Sequence, residues 1–148
     1  MAFFITSDCT GCTACRHICP TNAISGEKKQ RHAVFDAACI DCGACGRVCP
    51  AQAVTNPFGR VVSKIARKQW VRPFFTLDLC MACSICVEAC PANALDIALQ
   101  KVRDLHPYPF LVRESQCMGC GFCARACPVD AVILEKRTGQ ISSAPGGN

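Results

Sequence analysis

All sixteen cysteines of the chain fall in four runs of identical spacing. CTGCTACRHICP begins at Cys9, CIDCGACGRVCP at Cys39, CMACSICVEACP at Cys80 and CMGCGFCARACP at Cys117, each reading C-x2-C-x2-C-x3-C-P. So dense a set of cysteines in a short chain suggests, on composition alone, a disulfide scaffold. Cysteines two residues apart do not pair readily in native geometry, however, and disulfide frameworks rarely repeat one spacing four times. The opening MAFFITSDC has no basic segment, long apolar run or cleavage site, so a secretory leader is not expected and a cytoplasmic location is. No stretch approaches the eighteen or more apolar residues of a membrane helix, and no membrane span is expected.

The spacing then selects the metal chemistry. A zinc site takes four ligands, usually as two CxxC pairs, and asks for no third cysteine two residues further on. A C-x-x-C-H haem attachment is absent, because Cys15 is followed by Arg16. Three cysteines at two-residue intervals can wrap one iron–sulfur cubane, while a fourth, set beyond a helical turn and stopped by proline, points away from it. The sixteen cysteines are therefore read as thiolate ligands of four [4Fe–4S] clusters. Small residues between them (Gly11, Thr13, Gly43, Ala44, Ala82, Ser84, Gly119 and Gly121) are expected to let backbone N–H groups approach the sulfurs. The formal charge of +5 misleads: each four-thiolate cluster carries about −2, and four bring the total to roughly −3. No nucleic-acid partner is expected.

Through these runs the sequence resembles the bacterial-type ferredoxins with two [4Fe–4S] clusters, closely over residues 2–56 and with a longer middle segment over 73–135. The likeness extends past the cysteines. One residue beyond each proline stand a polar residue, alanine and an aliphatic residue, in TNAI (21–24), AQAV (51–54), ANAL (92–95) and VDAV (129–132). Apolar pairs precede each run: Phe3-Phe4, Ala33-Val34, Phe74-Phe75 and Leu111-Val112. They read as short strands. The resemblance implies an α+β fold of two tandem ferredoxin-like (βαβ)2 units organised around four [4Fe–4S] clusters.

The expected domains are residues 1–58 and 73–137, followed by a tail, 138–148, of disordered composition. Between the domains, GRVVSKIARKQWVRP places Arg60, Lys64, Arg67 and Lys68 on one side, with Val62, Ala66 and Trp70 on another. That pattern predicts a basic linker helix over 59–72, its cations either solvated or forming, with Trp70, a docking face for an acidic partner. The short interval between the first two runs and this linker pair run 1 with run 2 and run 3 with run 4. As the resemblance implies, the fourth cysteine of each run serves its partner's cluster. The ligand sets are then Cys9, Cys12, Cys15 and Cys49; Cys39, Cys42, Cys45 and Cys19; Cys80, Cys83, Cys86 and Cys127; and Cys117, Cys120, Cys123 and Cys90. A nested pairing, run 1 with 4 and run 2 with 3, resembles the iron–sulfur subunits of some molybdenum oxidoreductases and is the alternative. His17, His32 and His106 are expected to be bystanders, and Met81 and Met118 to pack against cluster edges.

Clusters with four cysteine ligands have no open iron site, and the chain shows no nucleophile–base pair, phosphate loop or dinucleotide fingerprint. The expectation is an electron-transfer protein rather than an enzyme. Three roles fit: a polyferredoxin relay subunit of a larger oxidoreductase, a freely diffusing ferredoxin, or a unit that assembles with other copies of itself into a conducting filament. The resemblance implies a partner among anaerobic oxidoreductases, since similar small four-cluster subunits accompany several of them, tungsten-containing aldehyde oxidoreductases included.

Overall fold

Short apolar segments flank every cysteine run, too short for independent helices or sheets, and the fold uses them as paired strands around each loop. The computed structural model describes residues 1–136. In chain order the elements are β1 (Phe4–Ile5), α1 (Ala14–Ile18), β2 (Ile24–Ser25), β3 (Ala33–Val34), α2 (Ala44–Val48), β4 (Val54–Thr55), β5 (Val71–Phe75), α3 (Ile85–Glu88), β6 (Leu95–Ala98), β7 (Tyr108–Leu111), α4 (Phe122–Ala126) and β8 (Val132–Lys136). Four antiparallel ladders result: β1 with β4, β2 with β3, β5 with β8, and β6 with β7. Helix α1 packs on α2, and α3 on α4. Strands and helices thus pair between run 1 and run 2, and again between run 3 and run 4.

Cysteine takes the place of aliphatic side chains in the core. One cluster of buried residues joins Phe3, Ile5, Ile24 and Val54 to Cys15, Cys45 and Cys49. A second joins Leu95 and Val132 to Cys86 and Cys123. A third, smaller, lies at the seam between the halves, where Ala44, Trp70 and Met118 are buried and Cys42, Cys120, Ile18 and Ala92 pack around them. With so little apolar volume, bound clusters must supply much of the stabilisation. No helix among the described residues is long and apolar enough to cross a membrane.

The linker departs from expectation. Residues 59–72 form no α-helix; only Arg67–Gln69 turn, as a 3-10 segment. The side chain of Asn56 accepts from the N–H groups of Phe58 (3.0 Å) and Arg60 (2.9 Å), closing a turn that sends the chain back along β4. The Val62 N–H donates to Val54 O at 2.8 Å, and the Ile65 N–H to Arg47 O at 3.0 Å. These tertiary bonds consume donors that a helix would need, and β-branched Val61 and Val62 suit the extended path.

Trp70 is not a docking surface. It is 2% exposed, donates from Nε1 to Ile65 O at 2.9 Å, and has the guanidinium groups of Arg47 and Arg67 over its ring, at 4.9 and 5.2 Å from the centroid. The two methionines also part company: Met118 is buried at the seam, whereas Met81 is 60% exposed. The expected tail, 138–148, lies outside the described residues.

Candidate metal centres

Each loop that carries the first three cysteines repeats one backbone device. The residues just before the second cysteine, Gly11, Asp41, Ala82 and Gly119, have φ of 66, 60, 54 and 62°. Those just after it, Thr13, Gly43, Ser84 and Gly121, have φ of 66, 70, 63 and 81°. Two left-handed residues around the second cysteine curl the loop, and the second of them caps the short helix that carries the third cysteine. The small residues of the motif are therefore conformational as well as permissive: the Gly11 N–H donates to Cys9 Sγ at 3.4 Å, and the Ala44 N–H donates to Cys42. Asp41 takes the same conformation without being small, as aspartate tolerates, while Ala44 is not left-handed but buried at the seam.

A second device repeats behind each fourth cysteine. The backbone N–H of Ala23 donates to Cys19 Sγ at 3.3 Å, that of Ala53 to Cys49 Sγ at 3.4 Å, that of Ala94 to Cys90 Sγ at 3.3 Å, and that of Ala131 to Cys127 Sγ at 3.2 Å. The polar residue before each alanine, Asn22, Gln52, Asn93 or Asp130, is left-handed and turns the N–H inward. The alanines are 2, 0, 0 and 1% exposed, so each of these donors is shielded from water. Such donors stabilise a thiolate and the anionic cluster it would hold.

The thiols gather across runs. One cavity is lined by Cys39, Cys42 and Cys45 of run 2 together with Cys19 of run 1. Another is lined by Cys117, Cys120 and Cys123 of run 4 together with Cys90 of run 3. Burial pushes the Cys15 thiol up to about 11, with the backbone N–H of Arg16, which donates to its sulfur, lowering it and the charges of Cys12, Cys9 and Cys49 adding to the rise. Burial likewise pushes Cys45 and Cys123 up to about 12. Cys86 is raised by burial and then by Cys80 and Cys83, and Cys127 packs beside the same core. Thiols held neutral by burial would ionise on binding a strongly charged partner, and the iron of a cluster would supply one. Four thiols around a cavity, with N–H groups aimed at the sulfurs, suit a cluster; among the described residues no group of three or more ligating side chains closes on a single ion.

His32 carries no sequence motif, yet it is 1% exposed. Its Nδ1 lies 3.9 Å from Cys9 Sγ. Neither its solitary position nor its neighbours in sequence mark it out; only the fold brings it to the run 1 loop. His17 and His106 are exposed.

Comparison with known proteins agrees with this chemistry. Models of 4Fe–4S dicluster domains match residues 8–54, 36–94 and 79–131. The middle match straddles the seam, as a strict repeat allows at any two neighbouring runs, whereas the strands pair within the outer two. No curated protein matches the chain. Among solved structures, it is similar to part of the formate dehydrogenase–heterodisulfide reductase–formylmethanofuran dehydrogenase complex from Methanospirillum hungatei. That likeness has 23% identity and a TM-score of 0.45, and covers 90% of this chain and 50% of the other. The chain thus spans about half the length of the structure it matches.

Proposed function

We propose that this chain, an iron–sulfur protein of ferredoxin type whose sixteen cysteines fit four [4Fe–4S] clusters, is the electron-relay subunit of a larger oxidoreductase in the cytoplasm. When bound, each cluster supplies a one-electron couple and no open coordination site. The protein's part is to hold, space and shield them. The ligand sets are those of the sequential pairing: Cys9, Cys12, Cys15 with Cys49; Cys39, Cys42, Cys45 with Cys19; Cys80, Cys83, Cys86 with Cys127; Cys117, Cys120, Cys123 with Cys90. The observation that carries this reading is the pair of cavities, each lined by three cysteines of one run and the fourth of its neighbour. The proximity of Cys49 to Cys15 supports the same crossing in run 1 and disfavours the nested alternative.

Two small halves in contact through a buried seam leave little distance between centres, which supports transfer along a row rather than isolated sites. A tungsten-containing aldehyde oxidoreductase is one partner of the right class, on resemblance alone. The test is chemical analysis and EPR of anaerobically prepared protein. About sixteen iron and sixteen acid-labile sulfides per chain are expected, and Cys49→Ser should perturb the same EPR signal as Cys12→Ser. Iron near four atoms, stoichiometric zinc, or a Cys49→Ser effect on the signal that Cys83→Ser perturbs would overturn it.

A further inference from the structure

Midway between the third and fourth cysteines of the four runs stand His17, Arg47, Glu88 and Arg125. His17, Glu88 and Arg125 are exposed; Arg47 alone is drawn inward. Its Nη2 donates to Cys42 O at 3.0 Å and its Nη1 to Gly119 O at 3.1 Å. Gly119 immediately precedes Cys120, so one guanidinium ties a cysteine loop of the first half to a cysteine loop of the second. A weaker contact from Nε to Gly43 O, at 3.4 Å, and the face of Trp70 complete its cradle. These acceptors are neutral carbonyls, which fix the cation without cancelling its charge. Cys42 and Cys120 pack against the same buried seam, and the charge of Cys120 is felt at Cys42.

We propose that Arg47 sets the redox potential of the two inner clusters, those of the run 2 and run 4 loops, and that the seam it closes joins the halves electrically. The four centres are then ordered run 1, run 2, run 4, run 3. The inference rests on the ligand sets proposed above. Passage across the seam moves one electron from one inner centre to the other; no bond forms or breaks and no proton is required. Reduction adds one negative charge at a site where burial opposes it, and a fixed cation poorly screened by solvent offsets that opposition. Arg47 touches both inner loops and neither outer one, so its effect should be confined to that pair.

The experiment is an EPR-monitored redox titration of the native chain, Arg47→Gln and Arg47→Lys, each checked for about sixteen iron. Cys42→Ser, Cys120→Ser, Cys12→Ser and Cys83→Ser chains identify the inner and outer signals. Arg47→Gln is expected to lower the reduced-to-oxidised ratio of the inner pair about tenfold at a fixed solution potential, a shift of about 59 mV for one electron. The outer pair should change less than about twofold. Arg47→Lys, whose single ammonium cannot span both carbonyls, should move the same pair by about threefold. Should the glutamine chain fail to load its clusters, the lysine chain decides on that selective shift. Equal movement of all four signals, or of none, at full iron content would overturn the proposal. Iron content well below sixteen in the native chain would instead overturn the ligand reading beneath it.

Discussion

Asn22, Gln52, Asn93 and Asp130 hold φ of 53, 51, 49 and 51°, and each turns the next alanine's N–H onto a cysteine sulfur. Asn22 is exposed, so its conformation can be tested with little interference from packing. A β-branched residue there must carry a Cβ in the left-handed region, which costs about 1–2 kcal/mol. Asn22→Val is therefore expected to destabilise the loaded protein by about that much, and Asn22→Gly by only a few tenths. Anaerobic denaturant titration, followed by cluster absorbance, measures both, and equal losses for valine and glycine would remove the backbone explanation. The repeat of polar residue and alanine is plain in the sequence, but its cause is not. Periodicity shows that a position recurs, not that its φ is positive or its N–H is spent on sulfur. Asp41 illustrates the limit: it takes the left-handed role that its counterparts Gly11 and Gly119 also fill, yet as a carboxylate it does not look like them.

At the scale of elements, the flanking strands were legible because apolar pairs stood at fixed distances from each cysteine run, and β1, β3, β5 and β7 overlap all four. The linker was not. Its i, i+4 pattern is real, but Val62 and Trp70 answer to different neighbours, Val62 to α2 and Trp70 to the seam, rather than to one helical face. Gly46 in α2 makes the first of these contacts possible: its φ is ordinary, but an added Cβ would collide with Val62. Gly46→Ala should displace the 61–65 strap and cost about 1–3 kcal/mol through overpacking, seen as a lower thermal midpoint and faster hydrogen exchange at Val62 and Ile65. Unchanged exchange at those two amides would show that the strap does not depend on the glycine. Trp70 is the larger anchor. Truncating a buried tryptophan typically costs about 3–5 kcal/mol, and here the loss falls on the core shared by both halves. Trp70→Ala is expected to make unfolding biphasic as the halves uncouple. A single transition shifted as a whole would mean that the seam is not what joins them.

Across the whole molecule, exposure of the second cysteine of each run distinguishes the centres proposed as outer from the pair proposed as inner. Cys12 and Cys83 are exposed, whereas Cys42 and Cys120 are only partly so and meet at the seam. A shuttle needs one or two centres near one docking face, but here the exposed sulfurs belong to different halves. That arrangement suits entry at one end and exit at the other, with a partner at each. Charge can guide one of these contacts without Trp70. Lys64, Arg67 and Lys68 are exposed, and Arg67 lines an open cleft between the halves with Arg113 and His17. Arg67 also donates to Ser115 O at 3.2 Å, which holds it at the cleft rather than free in solvent. Replacing Lys64, Arg67 and Lys68 by serine should weaken association with an acidic oxidoreductase subunit mainly through the association rate, by about tenfold at low salt, and flatten its salt dependence. The partner itself is sought by native mass analysis of the untagged chain, purified from its source without added salt. Recovery in a stable complex with one larger redox subunit is the expected result, and the triple substitution should reduce its yield. Recovery as long homopolymers would favour the filament role, with copies meeting end to end. A lone monomer exchanging electrons rapidly with several unrelated enzymes, indifferent to the three substitutions, would make the chain a diffusing ferredoxin and set the relay reading aside.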